Sequence, residues 1–160
     1  MDVLLAIKPE FAEKILDGEK GYEFRRTSFQ DSSDVDIIFL YASSPVSKII
    51  GLFTSGRTIE AAPAELWDLF GDESGINDRD RFINYFEGVD TGFAIQVDRI
   101  CRFEEPITPD DVIQDFSPPM SFHYLGSNES KSLRSCIPDS FQTRTVATDL
   151  TQYKQSKTAE

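Results

Sequence analysis

Apolar positions fall along this chain in short blocks whose period changes several times. Val3 to Ile7 is a continuous apolar run ended by Lys8-Pro9, and it predicts a buried strand. Pro9 suits the first turn of a helix, with acidic Glu10 behind it. Phe11, Ala12, Ile15 and Leu16 then recur at helical spacing, and Gly18 is the stop. In Tyr22 to Thr27 the period drops to two: Tyr22 and Phe24 alternate with Glu23 and Arg25, as a strand requires. Gln30 to Asp34 is a polar loop, Val35 to Ala42 a second apolar strand, and Ser43-Ser44-Pro45 a break. Lys48 to Arg57 predicts a long strand with a bulge or bend at Gly51 and Gly56.

The middle reads as helical. Ala64 to Phe70 opens after Pro63, and Asn77 to Glu87 ends at Gly88. Thr91 to Phe103 alternates Phe93, Ile95 and Val97 with Ala94, Gln96 and Asp98, the pattern of a half-buried strand. A short helical turn is expected at Asp110 to Gln114, and Phe116 to Phe122 reads as a rigid extended loop. Beyond Gly126 the chain is rich in Ser and Thr, with Ile137, Phe141 and Leu150 as its few apolar anchors. The expected organisation is one domain over residues 1–125 and a polar, partly ordered, loosely attached C-terminal extension over 126–160. Strands joined mostly without crossover helices make the expected class α+β: a small mixed or antiparallel β-barrel with helices covering its openings.

Composition adds constraints. The length of 160 residues suits one sizeable core, and thirteen Phe favour a core built on aromatic packing. The net charge of −12 repels phosphate backbones overall, so nucleic-acid contact must come from a local basic patch. Charge is unevenly spread: residues 61–90 carry eight acids against Arg79 and Arg81, whereas 41–59 carry only Lys48 and Arg57. The acidic stretch reads as a solvated helical face, with a protein partner on helices 64–87 as the rival reading. Cys101 and Cys136 have no metal-like spacing and read as free thiols of a reducing compartment. With His123 as the lone histidine, a usual nitrogen and sulfur zinc site cannot be assembled within one chain. No metal and no cofactor are expected. The opening has no signal-peptide pattern, and the longest apolar run, Ile37 to Ala42, is too short to cross a bilayer; a cytoplasmic location is expected.

Several words in fixed order go further. They are Leu5-Ala6-Ile7-Lys8-Pro9, Gly18-Glu19-Lys20, Tyr22-Glu23-Phe24-Arg25-Arg26 and Tyr41-Ala42-Ser43-Ser44-Pro45, followed by Ile50-Gly51, Trp67, and Pro118-Pro119 with Ser121-Phe122. Over residues 1–125 this set resembles an ASCH domain, a family with the PUA-like barrel fold. The resemblance implies a module that binds RNA or a modified nucleotide, with metal-independent hydrolysis as the alternative. Some members of the family look like ribonucleases, and one branch hydrolyses the amide of N4-acetylcytidine through a Lys, a Thr and a Glu, the first two spaced K-x-x-T. This chain keeps Lys20 but has Glu23 at the Thr position, so it lacks that hydroxyl nucleophile. Ribonuclease chemistry is therefore the better hydrolase reading.

The candidate site follows from these words and from side-chain chemistry. Lys8, at a strand end, and Lys20, in a turn, can meet a phosphate as point charges. Glu23 and Arg25 share one strand face; Arg25 can clamp a phosphate, and Glu23 can accept a base amino group or a proton. If the chain is an enzyme, Lys20, Glu23 and Arg25 carry the chemistry. Ser43 and Ser44 can cradle an oxyanion, Phe122 can stack a base, and Ser121 can hydrogen-bond to it. Each has a structural alternative: a surface lysine, a Glu–Arg pair across the barrel, simple turn chemistry, or a loop packed on the barrel. Trp67 reads as core, Arg26 as a rim residue, and His123 has no partner suggested by spacing.

Overall fold

The structure, a computed structural model, describes residues 1–29 and 34–141. Its centre is one six-stranded sheet: β1 (Val3–Ile7), β2 (Tyr22–Arg25), β3 (Ile38–Ala42), β4 (Lys48–Ala61), β5 (Gly92–Ile107) and β6 (Phe122–Tyr124). Their spatial order is β2-β5-β4-β3-β1-β6. Only β1 and β3 run parallel, with Val3 opposite Ile38 and Ile7 opposite Ala42; the other pairs are antiparallel. The sheet curls into a half-barrel, so β2 and β6 are its two free edges. The mixed α+β barrel-like class expected from the pattern is the class observed.

Curling a sheet requires bends, and these fall in the long ribbon. The β4–β5 register shifts between Ile49 and Gly51 and again between Thr54 and Thr58, around the two glycines that broke the strand pattern. Both strands run further than periodicity indicates, because pairing with a neighbour holds residues whose own pattern is weak.

Among the described residues, the helices packed on the sheet are α1 (Pro9–Leu16), α2 (Pro63–Phe70), α3 (Arg79–Tyr85) and α4 (Ser127–Arg134). Helix α1 has Pro9 in its first turn, Glu10 near its positive end and Lys14 near its negative end. Gly18 stops it at φ +82°. Its buried face (Ala12, Ile15, Leu16) joins Val3, Leu5, Leu40, Phe53 and Ile95 in the core on one face of the sheet. A side chain as fully enclosed as Ile15 contributes about 1.5–3 kcal/mol.

A second core lies on the other face, where Leu4, Phe39, Tyr41 and Leu52 meet Phe103, Leu133 and Ile137. Leu133 and Ile137 belong to the polar stretch read as loosely attached; α4 and the turn after it are packed into this core. Leu150 and the expected frayed end lie outside the described residues. A third cluster joins Phe24 and Ala94 to Leu66, Phe82 and Phe86 under α2 and α3, where Trp67 packs partly buried against the Phe82 ring. The turn expected at Asp110 to Gln114 is a 3₁₀ turn at Pro109–Asp111. Both cysteines are free thiols. Among the described residues, no helix is long and apolar enough to cross a membrane.

Candidate functional site

The half-barrel is left open between β2 and β6, and four predicted residues meet at this seam. Glu23 lies opposite Ile95 of β5, so its side chain points to the face of the first core. It is 4% exposed, and a carboxylate so enclosed needs partners. Oε1 stands 3.5 Å from the Lys20 ammonium, and Oε2 accepts from the Arg25 guanidinium at 3.2 Å. Arg25 also donates to the hydroxyl of Ser121, just before β6. One hydrogen-bonded chain, Lys20–Glu23–Arg25–Ser121, thus joins the two edges. Phe122 adds an edge-on contact with buried Phe29 at 4.8 Å between ring centres.

Lys20 is the least expected member. It is 2% exposed, its ammonium donates to the Ser74 carbonyl, and it lies 5.3 and 5.1 Å from the ring centres of Phe11 and Phe24. Burial pushes its pKa below the ordinary lysine value, and the neighbouring Glu23 carboxylate opposes that shift. It is enclosed, not presented to solvent as a bare phosphate-binding lysine would be.

The remaining predicted residues form a neighbouring group. Lys8 is exposed at the start of α1, where its carbonyl accepts from Phe11 and Ala12. The Ser43 N–H donates to the Ile7 carbonyl at 2.9 Å, so the Ser43–Ser44 turn, with its cis bond to Pro45, abuts the end of β1. The Ser121 carbonyl accepts from the Ala6 N–H at 2.8 Å, which brings that end close to the seam. Ser44 is exposed and Ser43 half-buried. Arg26 is exposed and donates to the Tyr85 carbonyl, as suits a rim residue. His123 lies opposite Leu4 in the register, on the face of the second core and away from Glu23.

Three residues of this region were not singled out from the sequence. Lys14 donates to the Gly75 carbonyl at 2.7 Å. Arg81, on α3, pairs with Glu10 at 2.8 Å and lies 5.1 Å from the Phe11 ring centre. The Tyr85 phenol feels both Arg25 and Glu23, and burial raises its pKa. Lys14 was within reach of pattern reasoning, since it follows Phe11 by three on one helix. Arg81 and Tyr85 carry no local signal.

At the seam Lys20 and Glu23 are 2% and 4% exposed. A cavity of about 540 Å³ lies away from the seam, beside the second core, lined by Asp2, Leu125, Ser130, Lys131 and Arg134 among others. What the seam offers is a carboxylate between two cations, in a protein whose overall charge is −12. It is a half-barrel of the PUA-like kind with a net-positive cluster across its open edge.

No family model matches the chain. An ASCH domain-containing ribonuclease from Zymomonas mobilis subsp. mobilis is 29% identical over 140 residues, which span 84% of this chain and 90% of the relative. The crystal structure of ASCH from Zymomonas mobilis superposes with a TM-score of 0.77 at 27% identity, covering 86% of this chain and 96% of that one. A point-mutant form of the same protein gives 0.76 at 26% identity, with 86% and 99% covered. The chain is thus similar in sequence to an ASCH domain-containing ribonuclease and in fold to the ASCH crystal structure.

Proposed function

We propose that this protein binds single-stranded RNA across the seam and cleaves it without a metal ion. The observation that carries this reading is the Glu23 carboxylate held between the Lys20 ammonium and the Arg25 guanidinium, one cation in excess of neutrality. A phosphodiester would balance that excess. The relative named a ribonuclease aligns over 84% of this chain and supports an RNA-cleaving reading.

In the reaction we propose, Glu23 takes the proton from a ribose 2′-hydroxyl as that oxygen attacks the adjacent phosphorus. Arg25 neutralises the charge gathering on the phosphoryl oxygens. The bond from phosphorus to the 5′-oxygen breaks, and Lys20, made more acidic by burial, gives that oxygen its proton. The products are a 2′,3′-cyclic phosphate and a free 5′-hydroxyl. The proton on Glu23 then returns to Lys20 across their 3.5 Å contact and restores the starting state. In this reading Phe122 stacks a flanking base and the exposed Ser44 turn meets a flanking phosphate. The two free thiols support a cytoplasmic setting.

The test is incubation of labelled single-stranded RNA and its all-deoxy copy with the protein in EDTA. The expected result is RNA fragments ending in 2′,3′-cyclic phosphate, intact DNA, and loss of cleavage in Glu23→Gln. RNA that is bound but intact would leave a binding module, and RNA neither bound nor cut would remove the reading. N4-acetylcytidine is expected to survive, since Glu23 replaces the hydroxyl its hydrolysis needs.

A further inference from the structure

The ring of Phe11 gathers more positive charge than the seam chemistry uses. Lys14, Lys20 and Arg81 lie 5.9, 5.3 and 5.1 Å from its centre. Among the described residues, the ion pairs of this enlarged cluster join Lys20 and Arg25 to Glu23 and Arg81 to Glu10. The surplus ammoniums are met by neutral dipoles of one segment: Lys14 donates to the Gly75 carbonyl and Lys20 to the Ser74 carbonyl. A carbonyl is a weaker partner for an ammonium than a phosphate oxygen.

That segment, residues 71–76 between α2 and α3, is built to close over the lysines. A 3₁₀ turn at Gly71–Glu73 leads into Ser74, which is fully buried. The Ser74 hydroxyl donates to the Gly71 carbonyl and accepts from the Ile76 N–H, holding the bend. Gly75 follows at φ +75°, and a Cβ there would lie 3.2 Å from Lys14 Cδ and 3.3 Å from Lys20 Cδ. The segment thus lies directly on the two lysine stems. The segment is acidic, with Asp72 and Glu73 within it and Asp78 just after it, so an incoming polyanion would repel it.

We propose that residues 71–76 are a displaceable cover on a latent phosphate subsite formed by Lys14 and Lys20, into which an RNA phosphate moves as the two carbonyls leave. The inference rests on the seam being an RNA site and adds its regulation: the closed state seen in the structure is the resting form. Opening exposes Lys20 to substrate and supplies Lys14 as a contact beyond the seam.

A disulfide can pin the cover. A Cβ at position 21 would lie 3.6 Å from Glu73 Cβ, within the range of about 3.5–4.5 Å that a disulfide spans. The experiment compares oxidised and reduced Gly21→Cys/Glu73→Cys, with Cys101 and Cys136 changed to Ser, by two readouts. The first is acetylation of Lys20 by acetic anhydride, followed by peptide mass spectrometry. The second is affinity for a labelled single-stranded RNA. We expect oxidation to slow Lys20 acetylation by about tenfold or more and to weaken RNA binding, with dithiothreitol reversing both. Equal acetylation in the two forms overturns the cover. Slowed acetylation with unchanged RNA affinity overturns the subsite beneath it. Absence of RNA binding in both the reduced variant and the wild type removes the seam reading and the phosphate ligand with it, while acetylation still decides whether the segment moves. As a second variant, Lys14→Ala should lower the salt slope of RNA binding by about 0.7, the loss of one phosphate contact to a single strand. An unchanged slope excludes Lys14 and overturns the proposal.

Discussion

The guanidinium of Arg25 donates to the hydroxyl of Ser121, 96 positions further along the chain. That bond spans the two free edges of the half-barrel, because Arg25 sits on β2 and Ser121 immediately precedes β6. The same guanidinium holds Glu23, so one side chain both clasps the seam and orients the carboxylate within it.

Arg25 and Ser121 should therefore separate in their effects. Ser121→Ala removes one partly buried hydrogen bond and should cost about 0.5–1.5 kcal/mol by urea unfolding, with RNA binding retained. Arg25→Ala also removes a partner of a nearly buried carboxylate, and should cost more than Ser121→Ala while abolishing cleavage. Equal stability losses would show that the Glu23 contact contributes little.

Glu23→Gln leaves Lys20 buried without its counter-charge. Removing one partner of a buried ion pair costs about 3–5 kcal/mol. Adding Lys20→Met should recover part of that loss, and a double-mutant cycle on urea midpoints reads the coupling. Additive losses would mean that the 3.5 Å contact is not an energetic pair.

The lowered pKa of Lys20 predicts a pH dependence of stability. Between the depressed folded value and the ordinary value of about 10.4, the unfolded chain holds a proton that the folded chain has shed. Over that window the unfolded state binds more protons, so stability rises with pH; below it both states are protonated and the slope vanishes. Relative to Lys20→Met, the wild type should gain stability as pH climbs through this alkaline range. Parallel curves for the two proteins would contradict the shift.

Gly75→Ala places a side chain at φ +75° and against the stems of Lys14 and Lys20. The left-handed conformation alone costs about 1–2 kcal/mol for a residue with a Cβ. The strain falls on the closed cover, so Lys20 acetylation should quicken although overall stability drops. Slower acetylation would place the strain elsewhere.

His123→Asn should leave RNA cleavage unchanged, because His123 lies on the face of the second core. A loss of more than about tenfold at unchanged affinity would move the proton chemistry away from Glu23 and Lys20.

By itself the sequence determined the local elements: the apolar run Val3–Ile7, the helix from Pro9 to its stop at Gly18, and the alternation that puts Glu23 and Arg25 on one face. These depend on neighbours within a few residues, and period, capping and turn chemistry act at that range. The reach of β4 and β5, the docking of Leu133 and Ile137, the arrival of Arg81 and Ser74 around the lysines, and that of Tyr85 near Arg25 and Glu23 were decided only by tertiary structure. Those contacts join residues tens of positions apart, where no local pattern records the partner. Burial of Lys20 shows the difference most clearly: a lysine in a turn reads as exposed until a distant segment supplies the carbonyl that lets it be enclosed.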